Sequence, residues 1–298
     1  MFKIQQFYNL LNENQFSTII YAPGFDYVNA SNLDKSNNII RLDCSHKQLT
    51  KLPELPQCEY LRCCGNELIY LPELPMCQEL DCADNKLVKL PKLPVCRILN
   101  CNKNALIQLP ELPVCQKLFC SGNALTSLPE LLVCQEVFCN DNVLTNLPEL
   151  PICQILQCVD NKLSALPELS LCHELWCNNN ELIHLPELPM CQRLNCDNNK
   201  LIQLPELPSC QELLCSKNKL THLPELSLCV GLMCYDNQLI KLPKLPMCQV
   251  LLCCDNQLTM LPELPMCRRL LCYNNLLTIL PKLPVCRELS SYNNRFDN

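Results

Sequence analysis

One repeat period governs this chain. The motif Leu-Pro-x-Leu begins at Leu52 and Leu71 and recurs to Leu280, thirteen times at the constant spacing set by that first pair and with no insertion. Between copies runs Cys-x-x-Leu-x-Cys-x-x-Asn-x-Leu, as at Cys77, Leu80, Cys82, Asn85 and Leu87. A partial copy precedes at Leu42, Cys44 and Leu49, and a last one passes through Cys286, Leu289, Ser291, Asn294 and Phe296, making about fourteen turns. A unit this short cannot bury its own apolar face, so successive turns must stack on one another, and the ends of the stack need caps.

The period contains its own local structure. Leu-x-Cys alternates inward and outward with period 2, as a half-buried strand does, and stacking in register would pair these strands into a parallel sheet. The Asn recurs in every turn except the first, where Lys47 stands. Its amide can donate to one turn and accept from another, which suits the bend where strand pairing stops. Leu-Pro-Glu-Leu-Pro follows, and prolines three residues apart exclude a helix interior and favour extended polyproline II geometry. Ile4, Phe7, Tyr8 and Leu11 fall at helical spacing, so residues 1–38 are expected to form a helical N-terminal cap on an array spanning 39–298. At the far end Ser291, Asn293 and Arg295 suggest a polar final edge.

Over roughly residues 40–296 the chain resembles the leucine-rich repeat family, whose signature is Leu-x-x-Leu-x-Leu-x-x-Asn-x-Leu; here cysteine holds the first and third leucine positions. It is similar to short-repeat secreted effectors of bacterial pathogens, which share Leu-Pro-Glu-Leu-Pro, and to cysteine-substituted repeat proteins of giant amoebal DNA viruses. The resemblance implies a leucine-rich repeat solenoid with a parallel β-sheet on its concave side, an extended convex side, and a binding scaffold's role. Some bacterial effectors carry a ubiquitin-ligase domain after the repeats. Only twelve residues follow Cys286, so that activity is not expected in this chain.

Composition narrows the function classes. With 24 Lys and Arg against 30 Asp and Glu, a net charge of -6, the chain lacks the basic stripe that phosphate-backbone binding needs. No apolar run approaches the roughly 18 residues of a membrane helix, and the N-terminus has neither a basic start nor an uninterrupted apolar stretch. The expectation is therefore no nucleic acid, no membrane, and a cytoplasmic location, which is a host's cytoplasm if the chain is virus-encoded. There is no glycine-rich phosphate loop, Gly-x-Ser-x-Gly elbow or His-Glu-x-x-His motif. His46, His173, His184 and His222 stand apart from any nucleophile, and the acids recurring from Glu54 to Glu263 repeat one solvated environment. No catalytic residue, cofactor or enzymatic activity is assigned.

The 28 cysteines form two rows of thirteen, Cys58 to Cys286 and Cys44 to Cys272, plus Cys64 and Cys254. Their Cys-x4-Cys spacing is not the tight knuckle of a zinc site, and parallel in-register side chains are poorly placed for disulfides. The rows read as small apolar core residues, with a thiol-rich metal-binding or redox-buffering protein as the alternative and no metal site assigned. Cys64 and Cys254 fall on the outward side and are expected to be accessible thiols.

Outward strand positions vary, and variation is where a partner would be read. The position between Leu and Cys starts polar, then holds Phe119, Phe138 and Trp176, and later Leu214, Met233, Leu252 and Leu271. The next outward position adds Tyr235 and Tyr273. An exposed apolar column with aromatic neighbours is what protein interfaces offer. These nine residues are assigned to a protein partner, with a second copy as a homodimer, or strand propensity without any partner, as the competing explanations.

Overall fold

The computed structural model describes residues 39–296. The expected N-terminal cap, residues 1–38, lies outside them. Two compact units are present, one ending at Leu144 and the other beginning at Thr145.

In the first unit, three-residue strands β1 (Arg41–Asp43), β2 (Tyr60–Arg62), β3 (Glu79–Asp81), β4 (Ile98–Asn100), β5 (Lys117–Phe119) and β6 (Glu136–Phe138) follow one another. Each pairs in parallel with the next, so that Leu42 lies beside Leu61, Leu61 beside Leu80 and Leu118 beside Val137. The second unit repeats this with β7 (Ile155–Gln157), β8 (Glu174–Trp176), β9 (Arg193–Asn195), β10 (Glu212–Leu214), β11 (Gly231–Met233), β12 (Val250–Leu252), β13 (Arg269–Leu271) and β14 (Glu288–Ser290). Partners always sit one repeat period apart, as with Leu213, Leu232 and Leu251. The parallel repeat solenoid expected from the period is what the chain forms.

The inward positions make the core. In the turn from Leu74 to Leu87, Leu74, Cys77, Leu80, Cys82 and Leu87 are at most 1% exposed. A one-residue slip between strands would turn this set outward, so burial fixes the register. The apolar set is completed by Leu at the proline stretch, whose outer segment contains no helix and closes in a turn where the Cys77 amide donates to the Leu74 carbonyl at 3.2 Å. Each Cys of the first row donates its thiol to the carbonyl two residues on, Cys77 to Glu79 at 3.3 Å for example.

Where the strand ends, the recurring Asn takes over the pairing. Asn85 Nδ2 donates to the Cys82 carbonyl of its own turn (3.1 Å) and the Cys63 carbonyl of the preceding one (2.9 Å), while its Oδ1 accepts the Leu68 amide (3.0 Å). Lys47 has no such side chain, and its own amide donates instead to Asn66 Oδ1 at 2.9 Å. The residue before each Asn is left-handed, with φ near 53° at Lys103 and 54° at Asp84 and Lys217. Gly, Asp or Asn holds that position in most turns because these residues tolerate such a backbone. That preference is visible in the sequence and marks the bend independently of the Asn.

In β14 Leu289 is 48% exposed where its partner Leu270 is 0%, and Asn293 and Arg295 are exposed after it. No helix among the described residues is long and apolar enough to cross a membrane.

Replacing Asn275, which is 5% exposed, tests the bridging role. Asn275→Ala orphans the Leu258 amide and the carbonyls of Cys253 and Cys272 that it now satisfies at 3.0, 3.0 and 3.1 Å. The expected loss is about 1–3 kcal/mol, read as a lower urea midpoint with the native circular dichroism spectrum retained.

Candidate interaction face

Strand alternation decides which side chains face outward. In the second unit, cross-strand register places Trp176 beside Asn195, Asn195 beside Leu214, and then Leu214, Met233, Leu252 and Leu271 side by side. Neighbouring strands lie about 4.8 Å apart, so the last four form an unbroken apolar column. They are half-buried, and Trp176 is exposed. Asn195 separates the indole from that column, so the two are distinct patches of one strand face.

The next outward position carries Tyr235, Cys254, Tyr273 and Tyr292. Tyr273 and Tyr292 stack with centroids 4.6 Å apart and planes 3° from parallel. Cys254 corrects the sequence reading, being only 4% exposed. It stands between Tyr235 and Tyr273 in successive turns, and large rings one strand spacing away cover a small side chain. Hydrogen bonding to Cys254 pushes the Tyr273 phenol up to about 12. Cys64 is half-buried, its Sγ 3.8 Å from His46 Nε2, and burial raises its thiol as well.

In the first unit Phe119 and Phe138 meet with centroids 5.0 Å apart. The Lys117–Glu136 ion pair, at 2.8 Å, runs alongside on the same strands. An equivalent pair joins Glu174 and Arg193 in the second unit. Charged side chains thus border the apolar ones on the strand side that precedes Leu.

The cysteine rows offer no comparable surface. Burial pushes the thiols of Cys172 and Cys229 up to about 11 and those of Cys96 and Cys248 to about 12, against an ordinary 9.0. Burial also holds the thiols of Cys82, Cys177 and Cys215 well above the ordinary value. Metal ligation and nucleophilic attack both require the thiolate, which this environment disfavours. Among the described residues, no three His, Cys, Asp or Glu side chains are grouped to hold a metal ion.

A second outward column escapes reasoning from strand alternation. The residue before each first-row Cys lies in the turn that closes the proline segment, yet it is apolar in most copies, and exposed at Leu228 (52%), Met247 (49%), Met266 (42%) and Val285 (44%). Turn positions usually favour Gly, Asn, Asp or Ser, so local propensity does not account for them.

No family model matches the chain, and no curated protein matches it by sequence. Solved structures do. YopM, a leucine-rich effector protein from Yersinia pestis, is 30% identical, with 98% of this chain and 94% of that one covered and a TM-score of 0.73. The Leptospira interrogans LRR protein LIC12759 is 26% identical over 82% of each chain, with a TM-score of 0.63. A functional domain of InlJ from Listeria monocytogenes, which includes a cysteine ladder, shares the fold at 23% identity and a TM-score of 0.60, over 81% of this chain and 64% of that one.

Two outcomes follow from the buried thiols. A thiol reagent at neutral pH should modify Cys64 and Cys286, the two cysteines left half-buried, and reach the others only on unfolding. The second concerns pH. The folded thiols titrate above their ordinary value of 9.0, near 11 for Cys172, so the folded state holds protons that the unfolded chain releases. Their stabilisation is complete below pH 9 and is lost as pH rises through the folded values. The melting temperature should therefore fall progressively above pH 9, with net proton release on unfolding.

Proposed function

Since this chain belongs to the leucine-rich repeat family, we propose that it is a non-catalytic scaffold that binds a protein partner on its outward strand face. The second unit supplies the principal site, with Leu214, Met233, Leu252 and Leu271 as an apolar floor and Tyr235 and Tyr273 beside it. Trp176, and in the first unit Phe119 and Phe138, provide further anchors. The observation that carries this reading is the register that sets four apolar side chains next to one another at a strand position that in the first four turns holds Asp43, Arg62, Asp81 and Asn100. Repeat solenoids of this kind expose variable side chains on an invariant frame, which serves recognition. The likeness to an effector protein that is 30% identical over 98% of this chain supports the same role. Aromatic and aliphatic side chains with a polar border are typical of interface centres. The reading places the protein in a reducing, intracellular compartment where 28 thiols remain free. The thiol-rich alternative is opposed by the burial of both rows.

The test compares the wild-type chain with a Trp176→Ala, Met233→Glu, Leu252→Glu variant in affinity capture from host cytosol. Matching circular dichroism and melting establish that both are folded. A partner retained by wild type and lost by the variant is the expected outcome; equal recovery of the same partners would move the site off this face.

A further inference from the structure

The exposed turn residues Leu228, Met247, Met266 and Val285 form a ridge across four consecutive turns of the second unit, each 42–52% exposed. Three residues before each of them stands an exposed charge: Glu225, Lys244, Glu263 and Lys282. The signs alternate along the ridge. None of these four takes part in an ion pair found among the described residues. On the other flank lie Val230, Gln249, Arg268 and Arg287.

Such a row is complementary to its own reverse. A two-fold axis lying in the contact plane, across the ridge between Met247 and Met266, runs a second ridge antiparallel to the first. It keeps the charged flank of one copy over the charged flank of the other. Glu225 then faces Lys282 of the second copy, and Lys244 faces Glu263. Met247 meets Met266, and Leu228 meets Val285. On the opposite flank Val230 faces Arg287 and Gln249 faces Arg268, so no like charges meet. We propose that this ridge is a self-association surface, on which a second copy of the chain docks antiparallel to form a two-fold homodimer.

The pattern is particular to these four turns. In the first unit the apolar turn residues Met76, Val95, Val114 and Val133 are likewise exposed, but their charges read Glu73, Lys92, Glu111 and Glu130. The same operation would set Glu73 against Glu130. Elsewhere in the second unit, Leu171 and Met190 are flanked by Glu168 and Glu187, and Ser209 interrupts the column. Among the described residues, the ridge from Leu228 to Val285 is the one four-turn stretch that presents each acid to a base, and like-charge pairs suppress the alternatives. Its four turns extend about 14 Å by strand spacing, a length suited to a weak, exchanging dimer. The outward strand face is not used, so each copy keeps it available to a different partner.

Charge reversal tests the pairing directly in the full chain. Wild type should show a monomer–dimer equilibrium by sedimentation velocity at concentrations up to roughly 500 µM. Glu225→Lys with Glu263→Lys leaves four bases on the ridge, and Lys244→Glu with Lys282→Glu leaves four acids. Each double variant alone should dimerise at least about tenfold more weakly, and mixing the two should restore association as a heterodimer. All four side chains are exposed, and unchanged melting curves confirm folding. Met233→Glu with Leu252→Glu, on the strand face, should leave the dimer intact. A wild-type chain that stays monomeric throughout would overturn the proposal. So would a dimer that survives both reversals but is lost in the strand-face variant.

Discussion

Everything in this molecule depends on hydrogen bonds that pass from one turn to the next. Three-residue strands are too short to hold a turn in place alone, and the side chain of each ladder Asn adds bonds to the preceding turn, and one within its own, at the point where the chain leaves the sheet. Asn180, for instance, joins the carbonyls of Cys158 and Cys177 and the amide of Leu163. No other side chain combines two donors and an acceptor in so short a reach. A shorter or charged residue would leave backbone groups unpaired in a region with little water. The left-handed residue before each Asn aims that amide inward, which is why the bend tolerates Lys103 and Lys217 at a conformational cost.

The same constraint accounts for the cysteines. Two inward positions per turn lie between leucines, and a thiol occupies less space than a leucine side chain while still excluding water. It also donates weakly to a nearby carbonyl, as Cys210 does to Glu212 at 3.3 Å. Burial holds these thiols protonated, so the chemistry that cysteine performs elsewhere is suppressed here. The rows are a way of packing the interior, and the surface carries the recognition.

Much of this is legible in the sequence because a repeat states the same rule many times. The inward set, the parallel register, the Asn bridge and the non-helical proline segment all follow from period and side-chain chemistry, and counting along the period finds the apolar strand column from Leu214 to Leu271. Alternation misjudges Cys254 because it says only which way a residue points; the cover comes from Tyr235 and Tyr273, one full turn away in each direction. It misses the exposure of Leu228, Met247, Met266 and Val285 for the opposite reason. Apolar residues in a tight turn next to a buried Cys look like core until their exposure is known.

The sequence by itself determined the architecture of a turn and the identity of its interior, since a strict period without insertions admits one set of inward positions and one register between neighbours. Only the tertiary structure decided which outward side chains remain reachable and which are screened, because that depends on the size of residues a full turn away. Trp176 and Cys254 show the division. Both lie on the outward strand face by pattern, yet one is exposed and the other buried, the thiol standing between Tyr235 and Tyr273 of the neighbouring turns.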